Sequence, residues 1–287
     1  ANKRNRHNFT LRSDYNLTKK INLDANIRYS IDKVTDRSYS GWSERNPMMA
    51  YLFFPRDLSL QELVPWKDAE GNAIRLSSEN VSEYYNPYWA LNECWNEDTK
   101  NWFLSDLTIG IELSKTLKLR LRGAADIQDS KGYDFTNKGT KGIEDGRYST
   151  FYRSIKNFQY EGYLLYNKKF KKISLNASIG ANWRDNSLYR NTSLTSELIL
   201  HDIASLSNSA EAIQTTESLE TIRRESIFGS ATIGYNEWIY LDMTARNDWS
   251  STLPIDNCSY FYPSASVSFI FSDALDLKGK VLSFGKI

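Results

Sequence analysis

The chain has 287 residues, with 36 basic against 35 acidic side chains and a net charge of +1, so composition offers no electrostatic footprint for nucleic acid. Its aromatic share is 14% and its mean hydropathy −0.55, and no run approaches the roughly 20 apolar residues of a membrane-spanning helix. Alternating β-strands are not excluded by these values, because half of each strand in a transmembrane barrel is polar.

The first residues, ANKRNRHNF, lack the apolar region of a signal peptide. A first strand pair follows in HNFTLRSDYNL and INLDANIRYSID, turned at TKK. In the second of these, Ile21, Leu23, Ala25, Ile27, Tyr29 and Ile31 share one face, and Asn22, Asp24, Asn26, Arg28, Ser30 and Asp32 share the other. A long stretch over about 33–102 then carries NPMMAYLF and NPYWALNECW, with Trp42, Trp66, Trp89 and Trp95 inside it.

The second pair, LSDLTIGIELS and LKLRLRGAADIQD, turns at KT. Leu117, Leu119, Leu121, Ala125 and Ile127 face one way, and Lys118, Arg120, Arg122, Asp126 and Gln128 the other. After a stretch at about 131–155 comes a third pair, FQYEGYLLYN and ISLNASIGANWRD, turned at KKFKK. The stretch at about 186–223, which has room for a short helix, leads to a fourth pair, SIFGSATIGY and WIYLDMTARND, turned at NE. Past about 250–261, YPSASVSFIFS begins a fifth pair, with Ala265, Val267, Phe269 and Phe271 on one face; VLSFGKI at the end reads as the opening of another strand.

Short turns alternating with long excursions are the signature of an outer-membrane barrel. Apolar faces of about 9 to 11 residues suffice for a tilted strand to cross. Tyr15, Tyr29, Tyr166, Trp183, Tyr235 and Trp238 fall near strand ends, where interfacial aromatic girdles stand. The competing reading is a soluble β-sandwich or other β-rich carbohydrate-binding protein or glycosidase, whose apolar faces would meet a partner sheet instead of lipid. A passive porin shares the strand pattern.

At residues 246–272, RNDWSSTLPIDNCSYFYPSASVSFIFS resembles a barrel segment of the SusC-like TonB-dependent transporters: a strand ending in Arg-x-Asp, then Trp/Tyr-Ser-Ser-x-Leu-Pro, then an aromatic-aromatic-Pro-Ser stretch. The matching residues are Arg246, Asp248, Trp249, Ser250, Ser251, Leu253, Pro254, Tyr260, Phe261, Tyr262, Pro263 and Ser264. YYNPYWALNE at 84–93 and LSFGKI at 282–287 are similar to further pieces of the same barrels.

The resemblance implies an all-β, antiparallel transmembrane barrel segment: about nine to ten strands of a roughly 22-stranded whole, with residues 1–287 a partial barrel domain lacking plug and N-terminal extension. It also implies import across the outer membrane of a Gram-negative bacterium, with a SusD-like surface lipoprotein as lid. The TonB complex would act through the missing parts, and the substrate implied is a bulky nutrient, typically an oligosaccharide and sometimes a peptide, so glycan import is the expectation.

Chemistry is sparse. His7 and His201 have no ligand-like company, and Cys94 and Cys258, both expected in loops, have no metal-like spacing and give little ground for a bridge. No nucleophile elbow, phosphate loop or cofactor motif is present, and the adjacent Glu97 and Asp98 are an adjacency expected by chance in so acidic a chain. The chain is therefore expected to be no enzyme and to need no metal or cofactor. The loop tryptophans Trp42, Trp66, Trp89 and Trp95, and the lumen-side Arg246 and Asp248, are the candidate substrate contacts, against the plainer reading of loop packing and lumen ion pairs.

Overall fold

A computed structural model describes residues 2–43, 45–52, 54, 59–74, 86–277 and 283–287. Nine strands form one antiparallel sheet in sequence order: β1 (Lys3–Thr18), β2 (Ile21–Thr35), β3 (Cys94–Glu112), β4 (Leu117–Thr136), β5 (Arg147–Phe170), β6 (Ile173–Thr195), β7 (Gln214–Tyr235), β8 (Ile239–Ser250) and β9 (Ser259–Phe269). Among the described residues three short helices accompany them: α1 (Pro47–Leu52), α2 (Pro87–Asn92) and α3 (Phe271–Ala274). Among the described residues no helix is long and apolar enough to cross a membrane.

A single facial parity runs through the whole sheet. One register row reads Tyr15, Leu23, Ile109, Leu121, Gly162, Ala181, Ile227, Asn247 and Phe261 from β1 to β9. The row beside it reads Asn22, Gly110, Arg120, Tyr163, Gly180, Phe228, Arg246 and Tyr262 from β2 to β9. Because successive side chains of a strand point oppositely, the first row lies on an apolar face and the second on a polar one. The sheet is a single layer with open edges, and the competing sandwich reading fails: among the described residues no second sheet covers Ile179 (61% exposed) or Val267 (64%). A greasy face without a protein partner is what a wall facing hydrocarbon requires.

The two ends of the sheet differ. Tight connections at 19–20, 113–116, 171–172 and 236–238 join strands at one end. Asn236 and Glu237 both have positive φ (50° and 67°), the successive left-handed residues that let a two-residue turn follow the twist of its hairpin. Beside this turn Trp238 packs edge-on against Tyr235 and Phe269, with centroids 5.7 and 5.6 Å away. At the other end of the apolar band, one row carries Tyr160, Trp183 and Trp249 on the outer face, and Tyr160 and Trp183 lie 5.5 Å apart. Of the expected girdle positions, Trp183, Tyr235 and Trp238 thus fall near the two borders of the band.

Strand lengths correct the sequence reading. β5 and β6 have 24 and 23 residues, more than twice what a crossing needs, and continue well past the aromatic row. The connections accordingly shrink to 36–93, 137–146, 196–213 and 251–258. Cys94 is not in a loop but begins β3, Phe271 belongs to α3 and not to the preceding strand, and the 186–223 stretch contributes only a 3-10 turn at Leu206–Asn208. Ile287 exchanges both backbone hydrogen bonds with Phe269 (2.8 and 2.9 Å), on the free edge of β9. Tyr84, Tyr85 and Leu282 of the quoted stretches lie outside the described residues.

Candidate functional site

The polar face is cross-braced. Arg122 bridges Asp106 (2.5 Å) and Glu161 (3.3 Å), and Glu161 also accepts from Asn182 (3.0 Å) and Gln159 (2.5 Å), linking β3 to β6. Trp102 donates its indole N–H to Asp126 (2.7 Å), Lys118 meets Glu112 (2.5 Å), and Thr232 donates to Asp242 (2.5 Å). Of the sequence candidates, Arg246 and Asp248 face this side and are bonded to each other at 2.7 Å, with Ser226 accepting a second Arg246 N–H at 2.9 Å. Arg120 lies 5.9 Å over the Tyr163 ring.

An aromatic row that sequence reasoning missed joins Arg120 to Arg246. Tyr163 and Phe228 stand on neighbouring but one strands with ring centroids 6.4 Å apart, and Arg246 lies 5.6 Å over Phe228. Between them is Gly180, where a Cβ would come within 2.7 Å of Tyr163 and 2.8 Å of both the Gly162 carbonyl and Phe228. The bare backbone is what lets the two rings close over β6. The available signal was Gly180 at a lumen position of an otherwise unbroken alternation.

The motif residues divide between the faces. Trp249 points outward in the girdle row, while Tyr260, Tyr262 and Ser264 share the Arg246 face, Ser264 bonding Thr244 at 2.8 Å. Phe261 and Pro263 lie on the outer face. Ser250 bonds Thr252, Ser251 accepts the Arg223 N–H at 2.9 Å, and Leu253 and Pro254 lead into a 3-10 turn at Ile255–Asn257. This stretch shapes the turn and ties it back to β7.

Beyond the girdle, the long connections fold into a cap with the driest packing of the chain. Phe135, Tyr148 and Leu198 are buried together, with Trp95, Tyr133, Ala204 and Leu206 against them. Trp95 stacks on Phe135 at 4.3 Å. Trp89 is 3% exposed and donates to Thr140 (2.8 Å), and Trp66 donates to Glu93 (2.7 Å). Of the four tryptophans, only Trp42 is widely open, at 85% exposure. Tyr39 and Arg45 pin the first connection to Asp134 of β4.

Glu93, only 3% exposed, is the cap's junction. It takes Trp66 and Lys67 (3.1 Å) from the first connection and Asn137 (2.7 Å) from the second. Asn137 in turn donates to Asp202 of the third (2.6 Å). Glu93 and Asp202 together raise the Lys67 pKa, Glu93 foremost. The Asn86-Pro87 pair starts α2, Asn86 accepting from the Tyr88 and Trp89 N–H groups, and so delivers Glu93 to this spot.

Cys94 and Cys258 are both free thiols. Burial pushes the Cys94 thiol up to about 11, so little of it is thiolate near neutrality. In folded protein at pH 7.5, a water-soluble maleimide is expected to label the half-buried Cys258 and spare Cys94, which becomes reactive on unfolding; equal labelling of both would contradict this placement.

No protein-family model matches the chain, and no curated protein matches it. Among solved structures, the RagAB peptide transporter superposes with a TM-score of 0.77 at 15% identity, over 96% of this chain and 31% of that one. The RagAB peptide importer in the "open-open" state gives 0.70 at 16%, with the same coverage. BauA, the ferric preacinetobactin receptor from Acinetobacter baumannii, gives 0.50 at 8%, over 94% of this chain and 38% of that one. The chain spans about a third of the length of these proteins. Its fold is that of consecutive hairpins from an outer-membrane β-barrel. More particularly, it is the fold of the barrel in SusC-like TonB-dependent transporters, the family that the Arg246 to Ser264 motif resembles.

Proposed function

We propose that the chain forms wall and mouth of a TonB-dependent outer-membrane importer of a bulky nutrient, an oligosaccharide or a peptide, with a SusD-like surface lipoprotein as lid. The observation that carries this reading is the unbroken parity of nine strands, greasy outside and cross-braced inside, capped at one end only. The wall contributes no catalysis. Its apolar face solvates the protein in lipid, its polar face lines the path, and the cap rims the entrance. TonB would act through a plug in the barrel.

The reading is tested in cells expressing the full-length gene, by following uptake of fluorescent oligosaccharides and peptides with and without an uncoupler. Uptake of one cargo class that stops when the proton gradient collapses is expected. Uptake indifferent to the gradient would make the protein a passive pore and overturn the proposal.

A further inference from the structure

On the lumen side, beyond the aromatic row, the sheet sets like charges directly opposite one another. Arg153 of β5 is the register partner of Arg190 of β6, and Arg184 of β6 is the partner of Arg224 of β7. All four are exposed and share the parity of Glu161, Asn182 and Ser226. Directly opposed like charges destabilise a strand pair. Several other cations on this face have partners: Arg122 has Asp106 and Glu161, Arg246 has Asp248, and Arg4 and Arg6 share Asp32.

These four do not. Among the described residues none makes an ion pair or a side-chain hydrogen bond. Glu220, which stands on the same face between the two rows, pairs with none of them, and Asp248, the carboxylate beside Arg184, is already held by Arg246. The two arginine rows are six residues apart along β6, about 20 Å at a strand's rise. Between them the same face presents Ile155, Leu188 and Ile222 beside Glu220 and the bonded pair Asn157 and Asn186 (2.7 Å). The patch is therefore a pair of cationic clamps separated by a saddle that mixes three aliphatic side chains with polar ones.

Guanidinium pairs with open forks bind carboxylates two-pronged. Aliphatic side chains offer no ring for a sugar to stack on, but they suit the apolar side chains of a peptide. We infer that this patch selects acidic peptides at the barrel mouth, binding an extended segment with carboxylates about six residues apart and apolar residues between. The inference rests on the import reading and narrows its cargo.

The test uses the full-length protein in detergent and fluorescent heptapeptides with an apolar middle, carrying either Glu or Gln at both ends. The Glu peptide is expected to bind at least about tenfold more tightly, with a preference that weakens as salt rises. Arg184→Gln with Arg190→Gln is expected to erase the preference. Arg28→Gln, an exposed arginine on the same face of β2, is expected to leave it intact. Equal binding of the two peptides, a preference that survives the double substitution, loss of preference in Arg28→Gln, or tight binding of a uronate oligosaccharide alone would each overturn the inference. Gradient-driven uptake of neutral cargo would then still stand, whereas absence of any energised uptake would remove the broader reading instead.

Discussion

Replacing Ile179 by Arg is expected to destabilise the protein by about 2–4 kcal/mol, the cost of placing a cation on the lipid face near mid-membrane. Ile179 is 61% exposed on the apolar face, flanked across the sheet by Leu164 of β5 and Gly229 of β7. Asn176, three residues earlier on the same strand, faces the lumen and is also exposed. The same substitution there, Asn176→Arg, is expected to change stability by less than about 1 kcal/mol. Reversible unfolding of the full-length protein in urea with lipid vesicles would read both. In a water-soluble sheet the two exposed positions would tolerate Arg alike, so the contrast between them measures the lipid itself.

A second large effect is expected in the cap. Glu93→Ala removes the acceptor of Trp66, Lys67 and Asn137 from a site that water barely reaches. Losing this buried acceptor costs about 2–4 kcal/mol locally: the Trp66 N–H is left without it, while Lys67, itself 36% exposed, and Asn137 keep only Asp202. Glu93→Gln keeps an acceptor and loses the charge, and a smaller loss of about 1–3 kcal/mol is expected. Limited proteolysis would show this as new cleavage within 59–74 and 196–213 while the strands remain protected. Cleavage that also spread into β5 and β6 would mean that the cap and the wall fold as one unit.

The parts of the fold legible in the sequence are those that lipid touches. Along Ile173 to Ala181 or Ile227 to Tyr235, hydrocarbon on one side and water on the other force strict alternation, and the turns between are tight enough to be read from NE or KT. Above the girdle both faces of a strand meet water or cap, so the constraint disappears. Residues 147–156 and 184–195 have no apolar face to read and pass for loop, although backbone pairing carries β5 and β6 straight through them.

The candidate site was legible only in part. Arg246 and Asp248 could be placed on the lumen side by parity, and the register confirms that face. The packing of Trp66, Trp89 and Trp95 could not be read, because their partners, Glu93, Thr140 and Phe135, lie 27, 51 and 40 residues away in sequence: the first two contacts need the connections to fold together, and Trp95, on β3 and not in the first loop as expected, meets Phe135 only through the β3–β4 register. Glu93 itself looks like an ordinary surface carboxylate in NPYWALNE. The unpaired arginines required the register, since Arg153 and Arg190 become opposed only once β5 and β6 are aligned.

The central claim is that the odd positions of β6 face lipid and the even ones an aqueous lumen. Its most direct test places single cysteines at 173 through 179 of the full-length protein, with Cys94 and Cys258 replaced, attaches a fluorophore to each, and compares quenching by a lipid-soluble and a water-soluble agent in vesicles. A strict alternation is predicted, with 173, 175, 177 and 179 quenched from the lipid and 174, 176 and 178 from water. Water quenching at all seven positions, or no period of two, would contradict it.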